Sequence, residues 1–198
     1  MNTEHNHPNA IFIQLTTRCN AMCINCPHPF TYRTINKKGS MNDDTWETIV
    51  QSLIKNNYKG QVGLYLHHEP LLAPKLFNKI DDINNKTNAF VVLSTNGSLL
   101  NEDIQKKLIE SPPKTLHINI NSADKMQYEN MTKLNYDSVI NNTIQFIDIA
   151  SKKIDIQINC PVLQNVDTDK LKKTISYNSS EYKFLRKLQR RTTKKYIC

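Results

Sequence analysis

The sequence lacks any run of about eighteen apolar residues, so a membrane-spanning helix is excluded. Its N-terminus, with Glu4, His5 and His7 ahead of a short apolar stretch at 11–15, lacks the basic flank and long apolar core of a secretory signal. A cytoplasmic location is therefore expected. No low-complexity segment or short internal repeat occurs, so the chain does not read as a repeat array. Apolar residues are few at 38%, and glycines number only four, but the charged share of 22% is ordinary for a soluble globular protein. A disulfide framework is also unsupported: the cysteine count of five is odd, and three of the five fall within eight residues.

The 198 residues suit one large domain better than two small ones. The net charge of +8 is concentrated at one end. Residues 181–198 hold Lys183, Arg186, Lys187, Arg190, Arg191, Lys194 and Lys195 against the single acid Glu181. A chain-wide nucleic-acid surface is not indicated. The tail reads as a solvated helix face or a frayed end, with contact to RNA or an acidic partner as the functional alternative.

Short β-like runs alternate with amphipathic helical stretches. Strands are expected at Ile11–Leu15, Val62–Leu66, Phe90–Leu93, Thr115–Ile120 and Ile154–Val162, each rich in Ile, Val or Leu. A first helix follows the cap Asn42, with Trp46, Ile49, Val50, Leu53 and Ile54 as its apolar stripe. Others are expected at about 74–84, at 102–110 behind Asn101, and at about 137–150. Strands separated by helices require crossover connections, which give a parallel sheet. The fold class is α/β, a partial (β/α) barrel with about five units visible and the sixth not evident. The expected divisions are an N-terminal tail at 1–10, the core at 11–165, and a helical, basic segment at 166–198.

Cys19, Cys23 and Cys26 follow the first strand in a Cys-x3-Cys-x2-Cys loop. In a parallel sheet the loops after the strands' carboxyl ends form the active face. Three soft ligands are enough to hold three irons of a four-iron four-sulfur cubane while leaving the fourth open to a small molecule. Taken alone, the cluster also fits a structural zinc site with His28 as fourth ligand.

Other elements resemble the radical S-adenosylmethionine (SAM) superfamily. Leu64-Tyr-Leu-His-His-Glu69-Pro-Leu-Leu72 is similar to the family's Glu-Pro loop after the second strand, and Leu93-Ser-Thr-Asn-Gly97 to the Thr-Asn-Gly turn after the third. Leu116–Asn121 and Gln157–Asn165 take the places of the fourth and fifth strands. The resemblance covers about residues 10–165. It implies that Cys19, Cys23 and Cys26 ligate a four-iron four-sulfur cluster and that SAM is chelated by the open iron. It further implies that Glu69 pairs with the cofactor's ammonium, that Ser94, Asn96 and Asn119 bond its ribose or carboxylate, and that the Asn25 backbone reaches the adenine. The implied activity is reductive cleavage of SAM to a 5′-deoxyadenosyl radical that modifies a peptide or small molecule. A one-electron reductant such as flavodoxin or ferredoxin would be required, with no membrane or nucleic-acid partner expected.

The chain departs from the family pattern in several places. His67 and His68 stand where many members have two glycines. Asn25 replaces a frequent aromatic, and Asn119 and Asn121 replace a Ser and an acid. His67, His68 and His117 read as lining or core residues, and Cys160 as a small core residue. Without a sixth strand, the fifth leaves an open edge, so a truncated chain, or an edge covered by the tail or another subunit, is expected. The alternative function is a non-catalytic metal- or iron–sulfur-binding protein with the basic tail as its contact surface.

Overall fold

Among the described residues five strands lie side by side in one parallel sheet, in chain order: β1 (Ala10–Phe12), β2 (Gln61–Gly63), β3 (Phe90–Thr95), β4 (Thr115–Asn119) and β5 (Asp155–Asn159). The structure is a computed structural model that describes residues 7–28, 39–160 and 169–170. Between the strands run α1 (Asp43–Lys55), α2 (Leu76–Lys86), α3 (Glu102–Glu110), and the successive helices α4 (Lys125–Thr132) and α5 (Tyr136–Ala150). The α/β class and five-strand count match the sequence expectation.

The helix caps form as the sequence indicates. Asn42 Oδ1 accepts from Thr45 N at 2.8 Å, and Asn101 Oδ1 from Ile104 N at 3.0 Å, each satisfying a first-turn N–H that would otherwise lack a partner. In α1, Trp46, Val50 and Leu53 turn inward, whereas Ile54, which the spacing had placed on the same stripe, is 42% exposed. The strand ends differ from expectation. β1 starts at Ala10 and stops at Phe12, because after Ile13 N bonds Gly63 O the chain leaves the sheet: Leu15 O accepts from Met41 N, and Thr16 pairs with Ser40. A short 3-10 turn at Pro70–Leu72 precedes α2, whose start is Leu76, two residues later than the expected start at about 74. α4 was not expected at all. Of the expected C-terminal elements, 161–168 and 171–198 lie outside the described residues, as does the Asn165 end of the fifth strand.

The register aligns the carboxyl ends of the strands. Thr95 pairs with Ile118, Ile118 with Ile158, and Asn119 with Asn159. Val91 and Leu93 on β3, Leu116 and Ile118 on β4, and Phe146 on α5 are fully buried beneath that end. This core fixes the height at which the loops emerge. Truncating Leu93 to alanine removes packing from the central strand, so a loss of about 2–5 kcal/mol is expected in a urea unfolding curve.

Candidate cofactor site

Three loops converge above the sheet: the cysteine loop after β1, the segment from β2 to the 3-10 turn, and the turn after β3. They line a cavity of about 530 Å3 that contains Cys19, Cys23, Asn25, Cys26, Glu69, Ser94, Asn96 and Asn119. All eight residues singled out from the sequence thus face one space.

The cysteine loop is held from both sides. On one, the last turn of α4 presents carbonyls that have no partner within the helix, and these accept from the loop: Met22 N to Thr132 O at 2.8 Å, Ile24 N to Met131 O at 3.0 Å. On the other, Asn20 Nδ2 donates to Ser98 Oγ at 2.8 Å and Asn96 Nδ2 donates to Asn20 Oδ1 at 2.9 Å. Asn96 Oδ1 in turn accepts from Ser98 N and Oγ, so its side chain fixes the turn against the loop. That turn passes through Gly97 at φ +77°, where an added Cβ would stand 3.1 Å from Ile118 Cγ2. Gly97→Ala combines a left-handed backbone with crowding and is expected to cost about 1–2 kcal/mol, measured by thermal unfolding.

Glu69 is buried, yet its carboxylate is well supplied with donors. Thr95 Oγ1 donates to Oε1 at 2.7 Å, Leu71 N to Oε1 at 3.1 Å, and Asn96 N to Oε2 at 2.9 Å. A carboxylate has about four acceptor positions, so one remains on Oε2. Burial pushes the Glu69 carboxyl up to about 7, with the three hydrogen bonds pulling the other way. Asn119 Nδ2 donates to Ser94 Oγ at 2.9 Å, which leaves the Ser94 hydroxyl a donor and Asn119 Oδ1 an acceptor.

Cys19, Cys23 and Cys26 are half-buried thiols, none of them joined in a disulfide. Burial, then the neighbouring Cys19 and Cys26, push the Cys23 thiol up to about 11. A metal bound to the trio would reverse that by supplying positive charge. Among the described residues no three His, Cys, Asp or Glu side chains converge closely enough to hold one metal ion. A zinc site with Cys3His ligation requires that convergence. A cubane takes one thiolate at each of three corners, which the Cys-x3-Cys-x2-Cys loop supplies. His28, the fourth ligand of the zinc reading, bonds Thr17 O through Nε2 at 2.7 Å.

Sequence reasoning missed other residues in the cavity. Tyr128, Met131 and Thr132 enter it from α4. The signal available for that helix was Asp124-x-x-Gln127: Asp124 Oδ1 accepts from Gln127 N at 2.9 Å. Cys160 is buried as expected, but in the cavity wall, where burial pushes its thiol up to about 11. His67 is exposed at the cavity and His68 is buried in its wall, while His117 lies in β4 against the Tyr65 ring.

A parallel α/β sheet with a three-thiol loop and a buried carboxylate at its carboxyl ends defines a cofactor-binding core of the iron–sulfur kind. The chain belongs to the radical SAM superfamily, whose family description matches residues 13–177. Members of that superfamily use a four-iron four-sulfur cluster and SAM. An uncharacterised protein of Methanocaldococcus jannaschii is 32% identical over 151 residues, 76% of this chain and 45% of that protein. The chain thus spans less than half the length of this curated relative. Among solved structures, anSMEcpe with bound SAM is 22% identical with a TM-score of 0.69, covering 90% of this chain and 50% of that one. Streptococcus suis SuiB bound to SAM is 16% identical with a TM-score of 0.69, covering 92% and 44%. These likenesses establish the shared fold. Among the described residues no helix is long and apolar enough to cross a membrane.

Proposed function

We propose that this chain is the cofactor-binding core of a radical SAM enzyme acting on a peptide or small molecule. Residues 11–165 form that core, 1–10 and 166–198 flank it, and the protein works in the cytoplasm. The observation that carries this reading is the meeting of Cys19, Cys23, Cys26 and Glu69 in one cavity at the carboxyl ends of the strands. When bound, the cluster and SAM supply a one-electron cleavage of the sulfonium that yields methionine and a 5′-deoxyadenosyl radical.

The chain's own residues hold and orient. Cys19, Cys23 and Cys26 ligate three irons, and no fourth cysteine in the loop closes the last corner. Glu69 Oε2 accepts from the cofactor's ammonium at its remaining position, a charge-assisted contact that sets orientation. Ser94 donates to, and Asn119 accepts from, the ribose. Asn96 acts by fixing the turn between them and the cysteine loop, and the Asn25 backbone meets the adenine. The apolar wall from Met131 and Tyr128 helps keep water from the reacting atoms. A flavodoxin- or ferredoxin-type protein supplies the electron.

Anaerobic reconstitution with iron and sulfide, followed by dithionite and SAM, tests this reading. Formation of 5′-deoxyadenosine and methionine in equal amounts is expected. Stoichiometric zinc with no cleavage of SAM contradicts it.

A further inference from the structure

His68 is nine-tenths buried, at 8% exposure, yet among the described residues neither of its ring nitrogens has a hydrogen-bond partner. Burial pushes its basicity down, with His28 and His67 adding to the effect, so the ring is neutral and offers one donor and one acceptor. Leaving such groups unmet in a buried place is costly, and native structures seldom tolerate it without a reason.

The position of the ring supplies a reason. The backbone N of the next residue, Glu69, donates to the carbonyl of Arg18 at 3.0 Å, which ties this segment to the residue just before Cys19. His28, two residues beyond Cys26, lines the same cavity and is close enough to act on His68 electrostatically. The imidazole thus lies near residues at both ends of the cysteine loop, and it shares the cavity with all three thiols.

Charge narrows the choice of partner. Among the described residues that line the cavity there is no Lys or Arg, and Glu69 is the one acid. Reduction by one electron adds negative charge to a cluster in that space, and sulfide and thiolate sulfurs can only accept hydrogen bonds. Neutral donors must then stabilise the added charge, and hydrogen bonds to sulfur are one of the features that set the potential of such clusters.

We propose that the His68 imidazole donates an N–H hydrogen bond to a sulfur of the bound iron–sulfur assembly and thereby raises the potential at which the assembly accepts its electron. This rests on the cluster-binding reading above. His68 is a positioning and tuning residue here: a donor to sulfur stabilises the more negative, reduced form more than the oxidised form. The electron itself comes from an external one-electron reductant.

The test uses the 198-residue chain, reconstituted anaerobically without SAM, and its variants His68→Phe, which keeps a ring without a donor, and His68→Gln, which keeps an N–H. Midpoint potentials are read by EPR during a mediated redox titration. Removing a hydrogen bond to a charged group is expected to shift reduction about tenfold, ~59 mV to more negative potential for one electron, in His68→Phe. His68→Gln should recover most of that shift, with iron and sulfide content unchanged. Equal potentials in all three proteins overturn the proposal. Where His68→Phe fails to fold or load, the unmutated chain grown with 15N-histidine still decides: a weakly coupled histidine nitrogen in the reduced cluster, lost in His68→Gln, supports the bond. No coupling overturns it, and so does a strongly coupled nitrogen that marks direct iron ligation. Failure of the unmutated chain to take up iron and sulfide overturns the cluster reading itself and this proposal with it.

Discussion

Cys23→Ala is expected to abolish loading with iron and sulfide and to eliminate SAM cleavage. The thiol lies at the middle of the cysteine loop, half-buried and between the two other donors. With two thiols left, the loop cannot anchor three irons, so the effect should exceed the ~10–100-fold that changes around a metal ligand produce. The loop's scaffold should survive, because its contacts run through Met22 N, Ile24 N and the Asn20 side chain rather than the sulfur. Iron and sulfide assays with circular dichroism check this. An unfolded variant, or one that still holds a full cluster, contradicts the assignment.

Glu69 carries the second large effect, through both stability and affinity. Glu69→Ala strips partners from Thr95 Oγ1, Leu71 N and Asn96 N and leaves a void under the site, so a loss of about 3 kcal/mol is expected in urea unfolding. The pH dependence has a definite sign. An acid whose carboxyl is raised from 4.5 to about 7 on folding holds a proton in the native state that the unfolded chain releases earlier. Its contribution is fully present below pH 4.5 and is lost as pH rises through about 7, on the order of 3 kcal/mol across that window. The wild type should therefore lose stability relative to Glu69→Gln over that range and run parallel to it above. Affinity for SAM should move the opposite way. An ammonium at Oε2 favours the ionised carboxylate, so wild-type affinity should rise through the same window while that of the Gln variant stays flat. Identical pH profiles for the two proteins in both measurements would remove Glu69 from the role given to it.

Much of this arrangement was legible in the sequence because it depends on local signals. Asn42 and Asn101 cap helices through contacts three residues away, and β-α alternation alone calls for a parallel sheet. The cysteine spacing, Glu69-Pro70 and the 93–97 turn are likewise short patterns carried on successive strands. What was not legible depends on contacts distant in sequence. α4 has a poor apolar periodicity, with Met126 72% exposed while Tyr128 and Met131 are buried, and its significance lies in carbonyls that meet a loop more than a hundred residues earlier. The end of β1 at Phe12 depends on Leu15 and Thr16 finding Met41 and Ser40. His68 reads as a lining or core residue, and only the three-dimensional neighbourhood reveals that its nitrogens lack partners among the described residues.

The claim on which the account turns is that three cysteines leave one iron open for the amino acid end of SAM. EPR with electron–nuclear double resonance on the reduced, reconstituted chain addresses it, using SAM labelled with 15N in the amino group and 17O in the carboxylate. Both labels are expected to couple strongly to the cluster, and the EPR signal to change when SAM is added. A cluster signal that ignores SAM, with neither label coupled, contradicts it.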